Sequence, residues 1–304
     1  MSDFNPYKAP AAAHLADTQI VVGDPARVPL SNAPAWIVSG YRLFAGSWPT
    51  WLLIISIFIG IFMLLQVFVV LTSAVLIGEI IGSLVMLPLL VGGIVTGFHW
   101  LAQDKPLPVV SLFAGFVTRP GALIAGGLMA YLIMALLVLV ALTMSGFGID
   151  QYLVLIRGQD EAAITELISS REFFSFMGWV MPLMLPATVI YYFTISQIAL
   201  GSIPATRAIV NSFRAVLGNL HVMLWGFVVL FFIGILLLLV MTMVFALISL
   251  LPIDPDTPAG IGLYSLIVTV LFGAPAIACL FGINYAAFRD IFMRPATSHA
   301  DGTP

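Results

Sequence analysis

The chain has 304 residues, of which 61% are hydrophobic and only 8% charged, with eleven Lys and Arg against fourteen Asp and Glu. Soluble domains carry about 25% charged residues, so this composition excludes a soluble enzyme, a nucleic-acid-binding domain and a disordered scaffold, and leaves an integral membrane protein. A single cysteine, Cys279, excludes an intrachain disulfide framework and a thiolate metal cluster.

Residues 1–35 are rich in Ala, Pro and Asp, hold no apolar run of signal-peptide length and are predicted to form a disordered tail. Residues 36–48, with Trp36, Tyr41, Phe44 and Trp48, read as an aromatic anchor at a membrane interface. From Trp51 onward the chain is a series of apolar runs, each near the ~20 residues with which a helix crosses a bilayer. Spans are predicted over about 51–72, 78–102, 120–144, 174–199, 221–248 and 259–287. Helix is the assignment because the bilayer core demands internally satisfied backbone groups and the runs show no alternation of period two. The expected fold is therefore all-α, a six-span bundle over residues 36–295, with a second short tail over 296–304.

Within the first span, Gln66 is placed to bond across to a neighbouring helix. The second span opens near Glu79, the one acidic residue close to the membrane interior. An intramembrane carboxylate is a candidate proton carrier or cation ligand, but its position at the start of the span sets it near headgroups, where ionisation is cheap. Gly78 with Gly82, and Gly93 with Gly97, form two GxxxG pairs that admit a close helix, within the bundle or from a second copy. Segment 107–117 is apolar nearly all round and is expected to dip into the membrane or pack beneath the bundle. Between the third and fourth spans, Ile164, Leu167 and Ile168 recur at helical spacing and predict a short helix in 160–171. Segment 205–217 reads as an amphipathic interfacial helix, with Arg207, Asn211 and Arg214 on one face and Ile209, Val210, Phe213, Val216 and Leu217 opposite.

A threefold pattern runs through these elements. Phe44, Phe113 and Phe213 each sit in an interfacial segment, and a span begins seven residues later at Trp51, Pro120 and Leu220. The second span of each pair carries an interior proline, Pro88, Pro186 and Pro275, where a lost hydrogen bond predicts a kink. Pro106, Pro204 and Pro295 close the units. The chain thus reads as three repeated hairpins, each preceded by an interfacial helix.

Six spans bring both ends of the chain to one side. Arg42, Lys105, Arg119, Arg207, Arg214, Arg289 and Arg294 fall near the membrane on that side, and only Arg157 and Arg171 on the other. The positive-inside rule then makes the terminal side cytoplasmic. Asp254 and Asp256 lie in the opposite loops without the ligand series of a calcium site. His99 and His221 fall at the cytoplasmic ends of their spans, with no third or fourth ligand near them in sequence, so no metal or cofactor site is expected. No phosphate-binding loop, dinucleotide fingerprint, HExxH or GxSxG motif is present, and no catalytic residues are expected.

The start Phe4-Asn5-Pro6-Tyr7-Lys8-Ala9-Pro10 resembles an Asn-Pro-Tyr-x-Ala-Pro leader of uncharacterised proteobacterial inner-membrane proteins. Gly97-Phe98-His99-Trp100, Asp104-Lys105-Pro106 and Ser111-Leu112-Phe113-Ala114-Gly115-Phe116 are similar to one polytopic family of unknown function with an "LFAGF" segment. Ala205 to Asn219 is similar to a wider "sFravlrN" pattern, in which Gly218 replaces the last arginine. The resemblance implies a bacterial cytoplasmic membrane and no defined activity. The expected function is non-enzymatic: a membrane-organising or interaction protein whose Arg42, Arg119, Arg207 and Arg214 meet anionic lipid headgroups. The tail would serve as a docking peptide for a protein partner, and an oligomer is compatible with the glycine pairs. The rival expectation is a transporter or flippase of a hydrophobic or small neutral solute, with the kinked spans around a cavity.

Overall fold

A computed structural model describes residues 21–72, 77–78, 80–157, 161–248 and 257–293, and no strand occurs among them. An interfacial helix, α1 (Asn32–Ala45), leads into the first span, α2 (Trp48–Thr72). The second span is a π-helical stretch, Ile80–Met86, continued by α3 (Leu87–Leu101). A 3-10 turn, Val109–Phe113, and the short α4 (Ala114–Thr118) precede the third span, α5 (Pro120–Ser145). Two helices, α6 (Ile149–Arg157) and α7 (Glu161–Ile168), connect it to the fourth span, α8 (Arg171–Gly201). The helix expected in 160–171 is α7, whereas α6 lies where no helix was expected. Interfacial α9 (Ala205–Gly218) precedes the fifth span, α10 (Leu220–Ile248). The sixth span runs through α11 (Pro258–Ile267), a π-helical stretch Val268–Gly273 and α12 (Ala274–Phe292). All six are long and apolar enough to cross a membrane. The end of the bundle that carries α1, α4 and α9 is called the basal end below.

The three predicted kink prolines are not equivalent. A proline cannot donate the i→i−4 bond, and before Pro88 and Pro275 the preceding turns have shifted to the wider π pattern. Pro186 instead lies with Pro182 inside the continuous α8.

The proline-bearing spans form an inner trio, with α3, α8 and α12 each touching the other two. Their shared core holds Leu90, Ile94, Phe98, Phe193, Tyr285 and Phe288, all buried. Trp51 of the first span stacks on Phe98 with ring centroids 4.0 Å apart. The third span packs along the fourth, whereas the fifth touches mainly α1 and α9, and the π turns of the sixth span.

Each interfacial element docks on the proline span that precedes it, not on the span it leads into. The 3-10 turn and α4 lie on α3, α9 lies on α8, and α1 closes the ring by lying on α12. Glycines permit the backbone approach. A Cβ on Gly93 would overlap the Leu112 carbonyl, one on Gly115 the Leu89 carbonyl, and one on Gly40 the backbone of Gly282 and Ile283. The packing unit is therefore span, connection, proline span and interfacial element, one element out of step with the unit read from the sequence. Both GxxxG pairs are used within the chain: Gly78 and Gly82 face Val69 and Leu65 of the first span, and Gly93 and Gly97 face the segment 107–112.

The tail predicted over residues 1–35 differs over its second half. Residues 21–31 run without regular structure across the basal end, and α1 already begins at Asn32. The Gly23 and Ala26 N–H groups donate to the carbonyls of Phe292 and Ile291, both at 3.0 Å. Val28 is buried, and its N–H donates to Asn219 Oδ1 at 2.9 Å. A few hydrogen bonds and the side chains of Val22 and Val28 fix this strap, a signal too small for composition to register. Residues 1–20 and 294–304 lie outside the described residues.

Candidate functional site

Two regions hold polar or binding features: the basal end, and a cavity beside the inner trio. At the basal end, the docking seams carry neutral polar side chains. Gln197 of α8 is fully buried; its amide nitrogen donates to Ser212 Oγ at 2.9 Å and to the Ala208 carbonyl at 3.1 Å, and its oxygen accepts from Asn211 at 3.3 Å. Thr194 adds a hydroxyl bond to Ser212 at 3.1 Å. On the α1–α12 seam, Asp290 accepts from the Trp36 indole at 2.8 Å and from Asn32 at 3.1 Å. His99 is buried between Tyr285 Oη at 2.9 Å and Gln103 at 2.8 Å.

These seams correct the face assigned to α9. Asn211, read as part of the polar stripe, is buried against Gln197, while Val210 and Leu217 are exposed beside Arg207 and Arg214. The buried face holds Ala208, Asn211, Ser212, Ala215 and Val216, with Ile209 and Phe213 packed partly against the core. Val216, Ile209 and Phe213 thus turn inward as expected; Asn211 joins them because the buried glutamine on α8 needs polar partners.

Of the arginines proposed to meet headgroups, Arg42, Arg207 and Arg214 are exposed at the basal end. Arg119 sits at the start of α5, partly buried, and its Nη1 is enclosed without a hydrogen-bond partner. Gln66 is exposed on the first span, and Glu79 lies outside the described residues, as do Asp254 and Asp256. Pro88 is buried, and Pro186 and Pro275 are half-buried. His221 is exposed at the start of the fifth span, away from the buried His99 pairing. No three His, Cys, Asp or Glu side chains come together among the described residues.

The cavity has a volume of about 500 Å³ and lies among spans two to six. It is lined by Trp36 of α1, Val91 of α3, Tyr192 of α8, Phe227 and Leu230 of α10 and Phe281 of α12. Its lining is almost wholly apolar, and none of Pro88, Pro186 and Pro275 is on its wall. The cavity expected among the kinked prolines is found instead beside the fifth span, none of whose most apolar stretch is buried, and no local pattern in that uniformly apolar run reveals it.

The chain matches no protein-family model, no curated protein and no solved structure. Its class rests on its own fold: an all-α integral membrane protein with six spans, three of which form its core.

Proposed function

We propose that the chain is a non-enzymatic, lipid-engaging protein of a bacterial cytoplasmic membrane, with its basal end in the cytoplasm and its arginines against anionic headgroups. One observation carries this reading: Arg42, Arg207 and Arg214 are all exposed at the basal end, where the partly buried Arg119 also lies. Each such cation adds about 1 kcal/mol near an anionic surface, and its bond to a lipid phosphate is charge-assisted. The cytoplasmic assignment is supported by the distribution of basic residues across the two sides. The bacterial membrane is suggested by the leader and the "LFAGF" resemblance.

The test is lipid retention by the full chain, measured by native mass spectrometry after exchange into vesicles containing equal phosphatidylglycerol and phosphatidylcholine. The wild type should retain phosphatidylglycerol preferentially. Arg119→Gln combined with Arg207→Glu and Arg214→Glu should reduce that preference by at least about tenfold. An unchanged preference would sink the proposal. A second reading, a carrier for hydrophobic solutes, is favoured by the cavity. Solute flux in proteoliposomes would support it, and its absence would leave the headgroup reading in place.

A further inference from the structure

We infer that α1, the segment Val109–Thr118 and α9 are sunk side-on into one leaflet, where each unit presents a matched pair of apolar side chains to the acyl chains. This deepens the proposed function and rests on its placing the basal end at a lipid interface, though not on its arginine contacts.

The three units expose the same two positions. Three residues before the phenylalanine that marks each interfacial segment stand Tyr41, Val110 and Val210, and four residues after it stand Trp48, Val117 and Leu217. All six are 47–69% exposed. Large apolar side chains scattered singly over a surface need no explanation, but here the register repeats. In α9 the two positions are seven residues apart, close to two full turns, and share one face. The marker phenylalanines follow a different rule: Phe44 and Phe213 pack against the core, and only Phe113 is exposed.

The docking contacts set the depth of these stripes. Each element lies on the flank of a proline span, well inside its basal end. Gly115 meets the Leu89 carbonyl and Gly93 that of Leu112, twelve and eight residues before α3 ends at Leu101. Gly40 meets Gly282, ten residues before α12 ends at Phe292. Ser212 of α9 bonds Thr194 and Gln197, seven and four residues before α8 ends at Gly201. At 1.5 Å per residue, these contacts lie about 6–18 Å inside the ends of the spans. A bilayer that covers the spans therefore also meets the outer faces of the elements docked on them. Covalent continuity gives the same level. Trp48 itself opens the first span, and Val117 and Leu217 stand three residues before Pro120 and Leu220, which open the third and fifth.

Charge identifies the occupant as lipid. Residues 30–48, 107–119 and 204–220 hold Arg42, Arg119, Arg207 and Arg214 but no Asp or Glu. The acidic residues described at the basal end, Asp24, Asp104 and Asp290, all lie outside these elements. Arginine carries its charge on a long apolar stem and reaches a headgroup from below, which a short carboxylate cannot. An acid-free, arginine-edged apolar stripe at this depth matches a leaflet, whose phosphates meet the arginines while its chains cover the stripe.

The test places nitroxide labels on the full chain, in a Cys279→Ser background, at Val110→Cys, Val210→Cys and Leu217→Cys. Asp24→Cys serves as the reference for water and Leu64→Cys, on the outer face of the first span, as that for lipid. In phosphatidylcholine vesicles, collision with oxygen against collision with a water-soluble nickel chelate reads the depth of each label. The three stripe labels should read about 5–10 Å inside the headgroup boundary, on the side of Leu64→Cys. Stripe labels as open to the chelate as Asp24→Cys overturn the inference and leave the stripes to a protein partner. The unaltered chain supplies a second measurement. A phosphatidylcholine with a photoactivatable diazirine on the first carbons of its chains should label Tyr41, Val117 and Val210, and labels confined to the spans overturn the inference equally. Both measurements use a zwitterionic lipid and so are independent of anionic preference. Deep labels without that preference would sink the arginine reading alone, and a preserved preference with water-exposed labels would sink this inference alone.

Discussion

Single polar side chains decide how the basal end is assembled, and Asn219 shows this best. It is 1% exposed, and its one amide serves three main-chain groups: it accepts from Val28 N–H and donates to the carbonyls of Ala26 and Ala215, at 2.9, 3.0 and 2.9 Å. It therefore ends α9 and holds the strap of residues 21–31 at the same time. Asn219→Ala leaves the Val28 N–H buried and unpaired, which costs about 1–3 kcal/mol. The expected result is a lower unfolding temperature in detergent and faster tryptic cleavage after Arg27. Cleavage at the wild-type rate would show that the strap is held by something else. In the sequence Asn219 marks only the end of a resembled segment, because its partners Val28 and Ala26 lie 191 and 193 residues away in the chain.

At the scale of elements, the spans were legible and their docking was not. Hydropathy marks each span to within a few residues because the bilayer imposes a length and a polarity on it. The π-helical stretches before Pro88 and Pro275 were legible only as kinks, since a proline indicates a missing bond but not the turn that absorbs it. The seams depend on residues too small to register in a hydropathy profile. On the α1–α12 seam, a Cβ on Gly282 would meet the Gly40 carbonyl at 2.8 Å, and the Trp36 and Asn32 bonds to Asp290 lie a little further along. Gly282→Leu should push α1 away, break those two bonds and destabilise the protein by about 1–3 kcal/mol, as overpacking does. Hydrogen exchange over Asn32–Ala45 should rise while exchange in the third and fourth spans holds. A uniform rise across all six spans would instead mean that the seam is part of one indivisible core.

On the whole-molecule scale, the docking pattern makes the bundle a closed ring of three units, in which α1 does for the sixth span what α4 and α9 do for the second and fourth. The N-terminal segment then belongs structurally after residue 293. The geometry supports this directly, because the Gly23 N–H already bonds the Phe292 carbonyl at 3.0 Å. A linker of about four residues can therefore join Met293 to Val21 without strain, given a reach of roughly 3.3–3.6 Å per residue. A rearranged chain that begins at Ser47, continues to Met293 and ends with residues 21–46 keeps every span in its original direction. It also keeps all the seams, omits residues 1–20 and 294–304, and cuts the turn between Gly46 and Ser47. It is expected to insert, to elute as a single species and to melt within roughly 5 °C of the wild type, since only one short connection has changed. Quenching of Trp36 fluorescence by an aqueous quencher should remain low, because the indole stays bonded to Asp290 beneath α1. A rearranged chain that inserts but leaves Trp36 open to the quencher would show that α1 depends on its covalent link to the first span, and that the ring is a resemblance of contacts without a shared unit.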